Sequence, residues 1–297
     1  VHDLDRFVIF EFRDAGDDHA IALGQAGKDF DLAGAACAQP DSTALGQALF
    51  RQLFESDSST YTYLVADPMT GEAILIDPVM ETVERDLQLL KDMGLKLSAT
   101  LETHVHADHL TGARRLQSQT QCKIAYPAMV QATCSDIAIR EGEAFRVGSI
   151  ELNPLFTPGH TDHHHAYLID TPVQKMIFTG DALLIEACGR TDFQSGDAET
   201  LYNSIHNKIF SLPDETLVYP GHDYESRFVT TVAQEKARNP RLGGGKSKRE
   251  FVEIMENLDL PYPRKIDFAV PGNEACGSCP DNIPDGLRGS CAIHDQG

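Results

Sequence analysis

Thr103-His104-Val105-His106-Ala107-Asp108-His109 is the stretch on which the reading of this chain turns. Three histidines and one aspartate fall within six residues. The apolar run Leu97 to Leu101 precedes them and reads as a buried strand. Side chains alternate on an extended segment, so His104 and His106 can point to one side. Asp108 and His109 follow where the chain turns toward a helix expected from near Leu110 to about Gln119. Neutral imidazoles and a carboxylate delivered to one point by a strand end form the donor set of a metal site. A lone histidine would read as a satisfied core or surface residue; four such residues in this order do not.

Outward from that stretch the pattern repeats. Tyr61 to Val65 and Ala73 to Ile76 are expected strands, joined by a turn around Pro68 and Gly71. Val83, Leu87, Leu90 and Met93 share one helical face, and Gly94 is a natural stop. A short strand is expected at Lys123 to Tyr126. In the second half, strands are expected at Phe145 to Val147, Ile150 to Phe156, His165 to Ile169, Met176 to Phe178 and Thr216 to Tyr219. Three of them run into Gly159-His160, Gly180-Asp181 and Gly221-His222. Leu201, Ile205 and Ile209 mark a helix, and two more are expected over Arg227 to Arg238 and Lys248 to Leu258. Strands with interspersed helices in two similar halves imply an α/β fold of layered sheets covered by helices. His104, His160, Asp181 and His222 each sit just after a strand, where rigid elements can hold polar ligands in place.

The bulk properties exclude some partners. The 297 residues include 45 Asp and Glu against 25 Lys and Arg, a net charge of -20. Nucleic acid and anionic membranes, which need positive charge, are disfavoured. No run approaches the roughly 18 apolar residues of a membrane helix. The acidic start Val1-His2-Asp3-Leu4-Asp5 has no signal-peptide character. The expectation is a soluble, cytoplasmic protein, or one of the mitochondrial matrix if the source is eukaryotic. The seven cysteines are odd in number and scattered, which favours reduced thiols over a disulfide framework. Three regions are expected: residues 1–46 as an N-terminal extension, 47–271 as the catalytic domain, and 272–297 as an irregular tail. Within the extension, Phe7 to Phe10 and His19 to Leu23 could pair as a hairpin arm about a turn at Arg13 to Asp18. Residues 259–297, rich in Pro and Gly, read as irregular throughout.

Thr103 to His109, Gly159-His160, Gly180-Asp181 and Gly221-His222 resemble, in order and spacing, the metal motifs of the metallo-β-lactamase superfamily. That resemblance implies an αββα four-layer sandwich with the metal at one edge of two sheets. It leaves two chemistries open. One is hydrolysis at one or two zinc ions, as in glyoxalase II, with all seven residues as ligands and a metal-bound hydroxide as nucleophile. The other is oxygenation at a single non-haem Fe(II) held by His104, His160 and Asp181, which leaves up to three positions open.

Flanking sequence favours the second. Thr179 to Ile185 leading into Cys188-Gly189-Arg190-Thr191-Asp192-Phe193-Gln194 resembles the persulfide dioxygenases. So do Tyr61 to Leu64, Tyr219 to Tyr224, Asn239 to Leu242 and Ile266 to Pro271. Glyoxalase II shares the Cys-Gly-Arg but not the Thr-Asp-Phe that follows. The resemblance implies glutathione persulfide and O₂ as substrates, sulfite and glutathione as products, one Fe(II) per chain, and a homodimer. His106, Asp108, His109 and His222 then become groups that orient the ligands and tune the metal. Arg190 is the candidate cation for a substrate carboxylate. Asp192 could hold the glutathione amine or brace Arg190, and Tyr224 could donate a hydrogen bond near the metal. A zinc thioester hydrolase is the alternative, and a non-catalytic metal or persulfide sensor a third reading.

Three stretches fall outside that pattern. His163-His164-His165 reads as surface or supporting histidines, because strand alternation lets at most two converge. Cys276-Gly277-Ser278-Cys279 resembles half of a zinc site, with only Cys291 nearby; an inert tail is expected, with a redox or disulfide role as the alternative. The N-terminal arm is unaccounted for. Cys188, beside the site, reads as a buried, inert thiol.

Overall fold

The computed structural model describes residues 48–130, 132–281, 283, 284 and 291. The expected hairpin arm lies outside the described residues. Twelve described strands form two sheets of six. The first sheet contains β1 (Leu49–Glu55), β2 (Thr60–Ala66), β3 (Glu72–Ile76), β4 (Lys96–Leu101), β5 (Lys123–Pro127) and β6 (Ile137–Ile139), in that spatial order. The second contains β7 (Phe145–Val147), β8 (Ile150–Phe156), β9 (His165–Asp170), β10 (Lys175–Gly180), β11 (Leu217–Pro220) and β12 (Thr230–Thr231), also in sequence order. Each half of the chain therefore builds one sheet.

The alternation of β2 shows why the sheets stack. Tyr61, Tyr63 and Val65 join Phe50, Ile74, Ile76, Tyr167, Phe178 and Tyr219 in the core between the sheets. Leu64 and Ala66, on the opposite face, pack with Val83, Leu90 and Leu116 from two helices, α1 (Val83–Asp92) and α2 (Ala113–Thr120). On the far face of the second sheet, Ala166, Ile177 and Val218 pack against α3 (Ala198–Ser204), which continues as a π-helical turn over Ile205–Ile209, and against α4 (Val232–Arg238) and α5 (Lys248–Glu256). Both sheets are thus apolar on both faces, as buried sheets are, and the four layers are the αββα sandwich expected.

Three elements depart from the sequence reading. Residues 227–231 are not helical: Thr230 and Thr231 pair with Val218 and Leu217, and α4 starts only after Thr231, whose side chain accepts from Gln234 N. The stretch from 259 is not irregular throughout. It contains a sixth helix, α6 (Ile266–Glu274), with Pro271 inside it. Proline reads as a helix stop because it lacks the donor N–H. Here Phe268 and Ala269 are buried against Met80 and Leu110, which secures the helix in spite of the proline. The cysteines are not all reduced: Cys134–Cys276 and Cys279–Cys291 are disulfides. The first joins residues 142 apart, a pairing that linear spacing does not reveal. Cys122 and Cys188 are free and buried.

The sheets meet at one edge. Tyr61 N donates to Gly221 O at 2.8 Å, and Thr60 forms a bridge with His222. The functional residues gather at that edge.

Candidate metal centre

The loop after β4 is held one backbone group at a time. Asp77, at the end of β3 with φ +50°, accepts from Thr103 N and Thr103 Oγ1 at 2.7 and 2.8 Å. Val105 N donates to His163 Nε2 at 3.0 Å, and Gln194 Nε2 donates to Val105 O at 2.8 Å. Asn273 Nδ2 donates to both His106 O and His109 O. A loop pinned this way presents its side chains in fixed directions.

Those directions bring one ligand atom each of His104, His160 and Asp181 within 4.8 Å of one another. The hydrogen bonds fix both imidazole tautomers. Thr103 Oγ1 gives its proton to Asp77, so it accepts from His104 Nδ1 at 2.9 Å. His160 Nδ1 donates to Arg190 O at 2.7 Å. In each ring that bond occupies Nδ1 and leaves Nε2, the nitrogen a metal would take, facing the cluster. Burial, helped by the neighbouring histidines 106, 160 and 164, holds His104 well below the ordinary imidazole value and keeps it neutral. The donor set, two imidazoles and one carboxylate, fits a divalent metal.

Asp181 completes the cluster through β10. Its N–H donates to His164 Nε2 at 3.1 Å, and His164 Nδ1 donates in turn to Thr157 Oγ1 at 2.9 Å. Gly180 makes the close turn, with φ +48°; a Cβ there would lie 2.6 Å from His164 Nε2 and 2.7 Å from Thr103 Oγ1. The three consecutive histidines are therefore supports. His163 holds the loop at Val105, His164 holds Asp181, and His165 Nδ1 bonds His163 O.

The other expected residues form a second layer. His222 Nδ1 lies 2.6 Å from Asp181 Oδ1, and His222 Nε2 lies 2.9 Å from Asp108 Oδ2. Burial opposes charge on His222, but the two carboxylates outweigh it and raise its pKa well above the ordinary value. Asp108 Oδ2 also takes His109 Nδ1 at 2.9 Å. His106 turns its Nε2 to two buried carboxylates, 3.2 Å from Asp77 Oδ1 and 3.3 Å from Glu102 Oε2. These outweigh its burial and raise its pKa too.

Arg190, Asp192 and Tyr224 lie at the rim. Asp192 takes Arg190 Nε and Nη2 at 2.6 and 2.7 Å, and Pro261 O takes Nη1 at 2.8 Å. Bracing of Arg190 by Asp192, one of the two roles expected, is the arrangement present. Tyr224 is 74% exposed, with its ring stacked on His222 at 6.2 Å. Cys188 is buried and its thiol is pushed up to about 11 by burial, in keeping with an inert thiol. Residues not singled out from sequence are Asp77, Glu102, Asn273 and Thr60, whose Oγ1 lies 3.0 Å from His222 Nε2. No local signal marks them in the sequence; only the fold brings their polar atoms to the loop.

A two-sheet sandwich with histidines and aspartates at its edge defines a class of metal-dependent enzymes, and residues 56–222 match the Metallo-beta-lactamase superfamily model. The mitochondrial persulfide dioxygenase ETHE1 of Mus musculus is 48% identical over 77% of this chain and 89% of its own length. The crystal structure of ETHE1 from Myxococcus xanthus superposes with a TM-score of 0.74 at 52% identity, over 77% of this chain and 99% of that one. A hydroxyacylglutathione hydrolase from Polaromonas is 36% identical over 59% of this chain and 66% of its own length. The chain belongs to the metallo-beta-lactamase superfamily, in its persulfide dioxygenase family.

Proposed function

We propose that this enzyme oxidises glutathione persulfide with O₂ at one Fe(II) per chain, held by His104, His160 and Asp181. One persulfide, one O₂ and one water give sulfite, glutathione and two protons. The carrying observation is the convergence of His104, His160 and Asp181 within 4.8 Å; His106 also closes with Asp77 and Glu102 and with Asp108 and His109, but its Nε2 faces the two buried carboxylates and Asp108 is bonded to His222 and His109. Iron, when bound, supplies open positions where a persulfide sulfur and O₂ meet. The protein's part is to keep His104 neutral, to direct His160 through Arg190 O, to fix Asp181 through His164, and to hold His222 between two carboxylates. The identity to named persulfide dioxygenases over most of their length supports this reading above glyoxalase II-type thioester hydrolysis at zinc.

Arg190 is the proposed partner of a glutathione carboxylate, with Asp192 orienting its fork and Tyr224 at the mouth beside His222. A cytoplasmic location, or the mitochondrial matrix in a eukaryote, and a homodimer belong to the same proposal. Nucleic acid and membrane are not proposed partners: the net charge is -20, and no described helix is long and apolar enough to cross a membrane. The test is O₂ uptake with glutathione persulfide by protein reconstituted with Fe(II) or Zn(II). Uptake with iron and none with zinc is expected. No uptake with either would sink the proposal and turn attention to S-lactoylglutathione hydrolysis.

A further inference from the structure

Asn273 lies on α6, 162 residues from Thr111 in sequence, yet its side chain is spent entirely on the loop that carries the metal motif. Oδ1 accepts from Thr111 N at 2.8 Å. Nδ2 donates to His106 O at 2.9 Å and to His109 O at 2.8 Å. The residue is 0% exposed. One amide thus satisfies one donor and two acceptors that span residues 106 to 111, and among the side chains only a carboxamide offers that combination in one planar group. Each buried carbonyl left without it would be an orphan polar group.

The attachment of α6 is equally specific. Tyr126 Oη donates to Asn273 O at 2.9 Å, Arg114 N donates to Cys276 O at 3.1 Å, and Cys276 is tied to Cys134. Gly277, at φ +83°, lets the turn after the helix pass against Thr111, where a Cβ would stand 2.0 Å from Thr111 O. These contacts hold the backbone of the turn. Among the described residues, only the Asn273 side chain reaches the carbonyls of His106 and His109.

We infer that Asn273 is a positioning residue for the metal centre: its amide sets the backbone between His106 and Thr111, and so the places of Asp108 and His109. Those two reach the ligands through a continuous chain, His109 to Asp108, Asp108 to His222, and His222 to Asp181. The inference rests on the reading that His104, His160 and Asp181 hold a metal.

The test uses the full chain loaded with Co(II), whose visible absorption reports ligand geometry. Asn273→Asp is nearly isosteric but removes both donors; Asn273→Ala removes all three bonds. Tyr126→Phe is the control, because it loosens α6 and leaves the Asn273 amide in place. The Asn273 variants should shift the Co(II) bands and release the ion to a chelator about 10–100-fold faster than native protein, the usual scale for groups that support a ligand. Tyr126→Phe should keep the native spectrum and release the ion within a few-fold of the native rate. If Asn273→Ala does not fold, Asn273→Asp alone decides. Native Co(II) binding with spectra and release alike in Asn273→Asp and Tyr126→Phe would overturn the role of Asn273. Failure of the native protein to bind Co(II) would overturn the metal reading, and this inference with it.

Discussion

Asp181 divides its carboxylate between two histidines: Oδ1 meets His222 Nδ1 at 2.6 Å, and Oδ2 lies 3.6 Å from His160 Nε2. Only one of the two oxygens is left for a metal shared with His160 and His104. Asp108, on the far side of His222, lies outside the His104, His160 and Asp181 group and closes instead with His106 and His109. Asp181→Ala should therefore abolish iron binding, whereas Asp108→Ala should retain substantial iron while disturbing His222. Metal analysis of the two purified variants distinguishes the cases. Equal loss in both would argue for a two-metal site.

Gly180 should not tolerate a side chain. Its φ of +48° costs an L-residue about 1–2 kcal/mol. The added methyl would press on His164 Nε2 and Thr103 Oγ1, neither free to retreat, since both are hydrogen-bonded within the site. Overpacking of that kind costs about 1–3 kcal/mol more. Gly180→Ala should lose about 2–5 kcal/mol of stability by urea denaturation, with a reduced metal content. A variant as stable as native would show that β10 can shift without cost.

The candidate site residues were legible in the sequence because each follows a strand and carries its own local signal: the His-x-His alternation, or a glycine before His160, Asp181 and His222. The layers were legible from alternation, as in Tyr61, Tyr63 and Val65. What was not legible depends on contacts between distant segments. Asn273 and Glu102 have ordinary neighbours, and only the fold places their polar atoms against the loop. Helix α6 was hidden by Pro271, whose local penalty is outweighed by burial of Phe268 and Ala269. Cys134 and Cys276 lie 142 residues apart, so linear spacing does not pair them, and an odd, scattered set of seven cysteines reads as reduced thiols.

The Cys134–Cys276 disulfide fastens α6 to the segment after β5, and it closes a loop of 142 residues. Cross-links of that span restrict the unfolded chain strongly, and removing a native one typically costs about 2–5 kcal/mol. Cys134→Ala should lower the urea midpoint by a corresponding amount under oxidising conditions. In a reducing buffer strong enough to open the native bond, native and variant protein should converge. A midpoint unaffected by either treatment would mean that the bond contributes nothing to the folded state in solution.

Asp86 should make stability depend on pH in the direction opposite to most carboxylates. It is buried on α1, and burial raises its pKa from 3.8 to about 6, against the lowering effect of Arg85 at 2.8–2.9 Å. The folded state then binds the Asp86 proton more tightly than the unfolded chain, so between about pH 4 and 6 it carries more protons. Stability from this group falls as pH rises through that window, and the cost is complete above pH 6. The full difference is about 3 kcal/mol, of which about 2 kcal/mol separates pH 4.5 from pH 7.5. Asp86→Asn carries no titrating proton and removes this dependence. The stability of Asp86→Asn relative to native should thus be about 2 kcal/mol more favourable at pH 7.5 than at pH 4.5. Urea denaturation at the two pH values measures it. The same difference at both would mean that Asp86 stays ionised in the folded protein throughout, with Arg85 outweighing burial.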